Sequence, residues 1–268
     1  MALSIVSTST YDNSGANLSA VITKPSGLAV GDLMFLHLTT EASGRTLTQP
    51  GGWTISSTLS TYCTMVIGYK IADSGDVSAS TFTFSFNNNG GGPQHIIGNM
   101  FRITGFNSVN PIAVSTDEVN YSGGGSKVFS NSITPATPDS LLLLAIGHND
   151  ILTGISAYAV VTSSPSFTEF QDSSVSALAY GTRNAITATG NSSFTGPDQA
   201  YAVAQVVIRP NFTSSLTETI SMSENKSFSL GLLIQEIITM TESLSNIKQR
   251  LWETVTKNVS SWLNQDKS

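Results

Sequence analysis

Apolar and polar residues form short strand-like patterns, separated by turn residues, over the first 210 residues. The clearest case is residues 82–86, where three phenylalanines fall on one face of the segment and two hydroxyl side chains on the other. Residues 33–36 and 141–144 are continuous apolar runs, too short for helices, and they predict central strands. Residues 200–208 predict a last strand that ends before Pro210. These patterns favour antiparallel sheets with one solvated side.

Glycine (22 residues) and proline (9 residues) separate the short strands, and no helical pattern lies between them. Many short strands at regular spacing are typical of a β-sandwich or jelly roll, so the predicted fold class is all-β. A length of 268 residues allows one large all-β domain with an appendage, or two small domains. We predict an antiparallel β-sandwich over residues 1–210 and a C-terminal extension over residues 211–268.

The extension has its own pattern. The motif E-x-I-[ST]-M-[ST]-E occurs at residues 218–224 and again at 236–242, and each copy alternates as a strand does. The second copy runs into apolar residues at spacings of three and four, which predict an amphipathic helix. That stripe consists of Met240, Leu244, Ile247, Leu251, Val255, Val259 and Trp262.

An amphipathic stripe has to be buried somewhere. It could pack on the chain's own sandwich, or it could pack on other copies or a partner protein. We favour the second alternative because the stripe lies at the extreme terminus, beyond a predicted linker over residues 211–215. The expected assembly is a homo-oligomer, a trimer, joined through the stripe.

Charged residues make up 11% of the chain, the net charge is −6 and the pI is about 4.9. Few charges suit a surface that packs against other copies, although a strand-rich composition alone also favours Ser, Thr, Asn and Gly. Twelve scattered basic residues argue against a nucleic-acid partner and an anionic membrane surface. No apolar stretch is long enough to span a bilayer, and the N-terminus does not read as a signal peptide.

The residues that most often carry chemistry are few and dispersed. Cys63 lies in a strand-like run, which predicts a buried, inert thiol. Asp117 and Glu118 are adjacent, so on a strand they point to opposite faces and cannot act as a pair. The histidines are His37, His95 and His148. We expect no metal, no cofactor and no enzymatic activity.

Two segments are rich in glycine, residues 87–93 and residues 122–127. Neither has the spacing of a phosphate-binding loop, so each is either a hairpin tip or a contact loop. Exposed aromatic rings beside amides and glycines are typical of glycan sites. Tyr158 is one such candidate, and the predicted ligand loop consists of Asn120, Tyr121, Gly123, Gly124 and Gly125.

Five motifs occur in an order that resembles a β-sandwich domain of tailed-bacteriophage virion proteins. They cover PSGLAVGDLM at 25–34, QPGGWT at 49–54, YKIAD at 69–73, MFRITGF with NPI at 100–112, and PDSLLL at 138–143. The resemblance spans roughly residues 20–210 and supplies no catalytic residues. It implies a jelly-roll-like virion structural protein, synthesised in a bacterial cytoplasm, that decorates the particle exterior beside major capsid or tail proteins. The alternative it leaves open is a tail-fibre adhesin that binds host surface glycans.

Overall fold

The structure is a computed structural model that describes residues 2–89, 94–120, 126–149, 156–160, 167–173 and 175–211. The chain divides into two compact units, Met1–Ser214 and Ser215–Ser268. The second unit, with the predicted amphipathic helix, lies outside the described residues. Asn211, which the sequence places at the start of a linker, is still attached to the first unit, because its backbone N–H donates to the carbonyl of Gly105 (2.7 Å).

Antiparallel strands account for almost all of the regular structure that is described. One short helix, α1 (Ser74–Ser78), follows β6. The strands are β1 (Ser4–Asn17), β2 (Ser19–Thr23), β3 (Leu33–Thr40), β4 (Leu47–Thr48), β5 (Thr54–Leu59), β6 (Thr64–Ile71), β7 (Thr81–Phe86), β8 (Gln94–Thr104), β9 (Ile112–Asn120), β10 (Ser126–Phe129), β11 (Ser140–His148), β12 (Ser156–Val160), β13 (Thr168–Ser173), β14 (Ser176–Arg183), β15 (Ser192–Thr195) and β16 (Ala200–Ile208).

The strands form four sheets in four layers. The two inner sheets have five strands each, in the orders β1-β8-β3-β6-β5 and β13-β14-β11-β16-β9. Their facing sides share one core, which includes Phe35, Phe101, Leu143 and Val206. Each inner sheet is covered on its other side by a three-stranded sheet, β2-β7-β4 or β10-β15-β12, with an aromatic-rich core between them.

The second half of this layered fold repeats the first half strand for strand. Adding eight to each strand number converts the order β1-β8-β3-β6-β5 into β9-β16-β11-β14-β13, and β2-β7-β4 into β10-β15-β12, which are the observed sheets. We therefore describe β1–β8 as the first lobe and β9–β16 as the second lobe. The lobes use equivalent faces to contact each other, as an approximate two-fold relation requires.

Local geometry repeats as well. The β5–β6 ladder pairs Thr54 with Tyr69, and its register shifts between Ile55 and Ser57. The β13–β14 ladder pairs Thr168 with Tyr180, and its register shifts at the equivalent place, between Glu169 and Gln171. Gly31 has φ +89° two residues before Leu33 of the central strand β3. In the second lobe, Asp139 has φ 54° two residues before Leu141 of β11. A turn that requires positive φ thus precedes both central strands.

Within each sheet, odd-numbered strands run in one direction and even-numbered strands in the other, as the antiparallel registers require. We call the end where odd-numbered strands finish the tip, and the opposite end the base. The lobes share this direction. At the tip, residues near the ends of odd-numbered strands from both lobes meet. A Cβ added to Gly147 of β11 would lie 2.8 Å from Cγ2 of Thr39 of β3, and Glu118 of β9 accepts two hydrogen bonds from Thr61, which follows β5. At the base, Phe106 forms a β-bridge with Pro210.

The predicted all-β sandwich is confirmed, and the predicted strands at 33–36, 82–86, 141–144 and 200–208 are all present. The sequence pattern predicts one sandwich over residues 1–210, whereas the four sheets form two sandwiches that share their inner faces. The sequence pattern does not predict α1, a five-residue helix whose start is held by a capping box between Asp73 and Asp76.

Replacing Trp53 tests the packing in the core of the first lobe. Its ring is 7% exposed and packs edge-on against Phe84 and Phe82, with centroid distances of 5.1 and 6.2 Å. We expect Trp53→Ala to lower the free energy of unfolding by about 3–5 kcal/mol, measured by urea denaturation. Val21→Ala, at a position that is 46% exposed, is the control and should change it by less than about 0.5 kcal/mol. A loss below about 1 kcal/mol for Trp53→Ala would contradict this packing.

Candidate functional site

The predicted ligand loop begins at the tip of the second lobe. Asn120 is the last residue of β9, is exposed, and pairs with Ala200. Residues 121–125 lie outside the described part of the chain, as do all seven residues of the predicted oligomer stripe. Tyr158 falls within β12, and nothing of its side chain is described. Of the predicted site residues, Asn120 is thus the one whose position is known.

The other glycine-rich segment starts at the tip of the first lobe. Its first residues are hydrogen-bonded to the connection between β3 and β4. The carbonyl of Asn87 accepts from Arg45 Nη1 (3.0 Å), and its Oδ1 accepts from the backbone N–H of Thr46 (2.7 Å). Asn89 Nδ2 donates to the carbonyl of Gly44 (3.0 Å). The described part of this segment is therefore hydrogen-bonded to the β3–β4 connection, which the sequence pattern does not predict.

Acidic side chains at the tip contact cationic or donor groups of neighbouring strands. Asp12 Oδ1 lies 2.7 Å from Nε2 of His95, whose Nδ1 lies 3.8 Å from Glu41 Oε1. In the second lobe, the buried Lys127 pairs with Asp198 at 2.6 Å. These contacts join residues that are distant in sequence, so a single-sequence pattern carries no signal for them.

His37 is fully buried on the inner face of β3, beside Asn99 of β8. Its Nε2 lies 3.2 Å from the hydroxyl of Thr39. Among the described residues, Nδ1 of His37 and both side-chain polar atoms of Asn99 have no hydrogen-bond partner. Burial lowers the pKa of His37 from 6.5 to about 3, so the ring is neutral at physiological pH.

The remaining candidates for chemistry have structural surroundings. Burial, and then the charge of Glu118, raise the pKa of the Cys63 thiol to about 12, which bears out the predicted inert thiol. Asp117 and Glu118 point to opposite faces of β9, as predicted. Asp117 Oδ2 accepts from the backbone of Ser130, whereas Glu118 reaches Thr61 in the first lobe. Across the described ranges, no three His, Cys, Asp or Glu side chains are grouped so that they could hold a metal ion.

The five motifs singled out in the sequence all lie at the base, where their polar residues hold turns together. Asp32 accepts from the backbone N–H of Ala29 (2.8 Å) and from Nε of Arg102 (2.6 Å). Gly27 has positive φ, and a Cβ there would lie 2.8 Å from the guanidinium of Arg102. These contacts bring the first motif and the fourth motif together.

A second pair of motifs meets in the same way. Lys70, in the third motif, lies 2.8 Å from Asp76 Oδ1 and 3.1 Å from Asp73 Oδ2. A Cβ at Gly52, in the second motif, would lie 2.8 Å from Cε of Lys70. The side chain of Lys70 therefore crosses a position that only glycine leaves open.

No helix in the described ranges is long and apolar enough to cross a membrane. Comparison with family models, with curated proteins and with solved structures found no match to this chain.

Because His37 is neutral in the folded chain, the free energy of unfolding should depend on pH. Because its pKa is lower in the folded chain than in the unfolded chain, its contribution to stability is complete above pH 6.5 and is lost as the pH falls toward 3. We expect the free energy of unfolding to fall by about 2 kcal/mol more between pH 7 and pH 5 in the native chain than in His37→Gln. Urea denaturation at each pH measures it. Parallel curves for the two proteins would contradict a buried, neutral His37.

Proposed function

We propose that the chain is a non-enzymatic structural protein of a tailed-phage-like virion, exposed on the exterior of the particle as a decoration protein. The observation that carries the proposal is that several charged side chains form hydrogen bonds or ion pairs between segments of the fold. Asp32, Lys70, Lys127 and Glu118 each tie one segment of the fold to another. Side chains used in this way hold a scaffold together rather than attack a substrate.

The composition supports assembly into a particle. Hydroxyl and amide side chains fill most polar positions, and 11% of residues are charged. A protein that packs closely beside other copies then has fewer charges to remove from water. The resemblance of five base motifs to virion proteins supports the same class.

The experiment is to find the chain in particles. Phage particles released by lysis from cells that carry the gene should be purified on a density gradient and analysed by mass spectrometry. We expect the chain to sediment with the particles, and gold-labelled antibodies to residues 1–211 to mark their exterior. Recovery of the chain only in the soluble lysate would overturn the proposal.

The C-terminal stripe supplies a second test, of homo-oligomer formation through residues 240–262. Leu251→Asp places an unpaired carboxylate in the apolar contact that the stripe is proposed to make with other copies, which costs several kcal/mol. We expect this variant of the full chain to sediment as a monomer while the melting temperature of the β-sandwich changes by a few degrees at most. Gln249→Asp adds the same charge off the stripe and should leave the oligomer intact. If Leu251→Asp stays assembled and the sandwich melts much earlier, the stripe belongs to the chain's own core.

A tail-fibre adhesin that binds host glycans is the second candidate, and the position of Asn120 favours it. This exposed amide lies at the tip, where the strands that flank both glycine-rich segments also end. Loops gathered at one end of a sandwich often carry binding. Binding of the chain to surface polysaccharide of the host, reduced at least about tenfold by Asn120→Ala, would support this candidate over decoration alone.

A further inference from the structure

The two ends of the lobes differ in the apolar side chains that they expose. Val109 is 83% exposed, Val30 is 66% exposed and Ile186 is 59% exposed, and all three lie in connections at the base. The other large aliphatic side chains that are exposed, Val6, Val21 and Val128, are at most 47% exposed and lie within strands. In the part of the tip that the structure describes, no large aliphatic side chain is exposed.

The two ends also differ in net charge. The base carries five basic residues, Lys24, Lys70, Arg102, Arg183 and Arg209, and four acidic residues, Asp32, Asp73, Asp76 and Asp139.

Most of these basic groups are neutralised or hydrogen-bonded within the chain. Besides the two ion pairs with Asp32 and Asp76, Lys24 donates to the carbonyl of Val77, and Arg209 donates to the carbonyl of Asn110. Five basic and four acidic residues leave the base with a net charge of +1.

The tip is acidic by comparison. Its described residues include five carboxylates, Asp12, Glu41, Asp117, Glu118 and Asp198, and two cations, Arg45 and Lys127, both buried. Because the whole chain carries −6, two copies repel each other least where they meet base to base.

The path of the chain also leads to the base. Ala2 lies against Gly105, since a Cβ at Gly105 would come within 2.3 Å of the Ala2 carbonyl oxygen. Asn211 is hydrogen-bonded to the carbonyl of the same glycine, so residues 212–268 start from this end. Copies joined through residues 240–262 would have their bases tethered to the same assembly, which raises the local concentration of one base around another.

We propose that the base is a contact surface between copies of this chain, and that Val30, Val109 and Ile186 are its apolar contacts. The occupant of the surface is the base of a second copy. Burial of these aliphatic side chains drives the contact, and the balanced charges of the base permit it. The inference rests on the proposed homo-oligomer and adds a surface on the lobes to the C-terminal stripe.

The test replaces a valine or isoleucine by lysine at two kinds of position in the full chain and compares the variants. Val109→Lys and Ile186→Lys add a charge to the base. Val21→Lys and Val128→Lys add the same charge to the outer faces of the covering sheets, at positions that are 46% and 47% exposed. Sedimentation equilibrium over the micromolar range should show association weakened at least about tenfold by the base variants and nearly unchanged in the controls, with unchanged melting temperatures.

A base variant that associates as strongly as the native chain would overturn the inference, as would controls that weaken association equally. If Leu251→Asp dissociates the oligomer while the base variants do not, the proposed oligomer stands and the base contact fails. If the native chain is a monomer, both fail.

Cysteine labelling identifies what covers the base, because the native Cys63 is buried. Val109→Cys should react with a bulky maleimide about tenfold more slowly in the oligomer than after dilution to monomer, whereas Val21→Cys should react equally in both. Protection of Val109→Cys that persists in the monomer would mean that the chain's own residues 212–268 cover the base, and would overturn the contact between copies.

Discussion

The inner faces of the two five-stranded sheets must be buried against each other, and the rest of the molecule is arranged around that requirement. Each inner sheet is apolar on both sides, so a single covering sheet cannot keep it from water. The shared core joins Phe35 and Phe101 of one lobe to Leu143 and Val206 of the other. The small three-stranded sheets then complete the outer layers, and they place Trp53 in the core of the first lobe.

Equivalent faces pack together, yet the two faces are not alike. Register places Ala145 and Ala204 of the second lobe at the positions equivalent to His37 and Asn99 of the first lobe. Polar side chains thus occur on one inner face where alanines occur on the other, and Gly147 of the second lobe approaches Thr39. Two copies of the first inner face would bring two His37 and two Asn99 side chains into one apolar core, so this asymmetry favours pairing of the first lobe with the second.

The alternation of strand direction separates two kinds of surface. The base gathers the chain's entry, the link between lobes and the exit at Asn211, together with tightly bonded turns such as that of Asp32 and Arg102. The tip gathers the ends of the strands that flank both glycine-rich segments.

Local patterns in the sequence determined the strands. Alternation at residues 82–86 and the apolar run 141–144 each predict their strand because a side chain's face depends only on its parity along the chain. The same reasoning identified Cys63 as buried and separated Asp117 from Glu118. Tertiary structure alone decided that there are two lobes, because a core accepts different apolar residues where neighbouring side chains compensate in volume. Val206 therefore stands where the first lobe has Phe101, and no recognisable sequence repeat remains. It alone decided the partners of Asp32 and Lys127 and the gathering of exposed aliphatic residues at the base, because these depend on contacts between residues far apart in sequence.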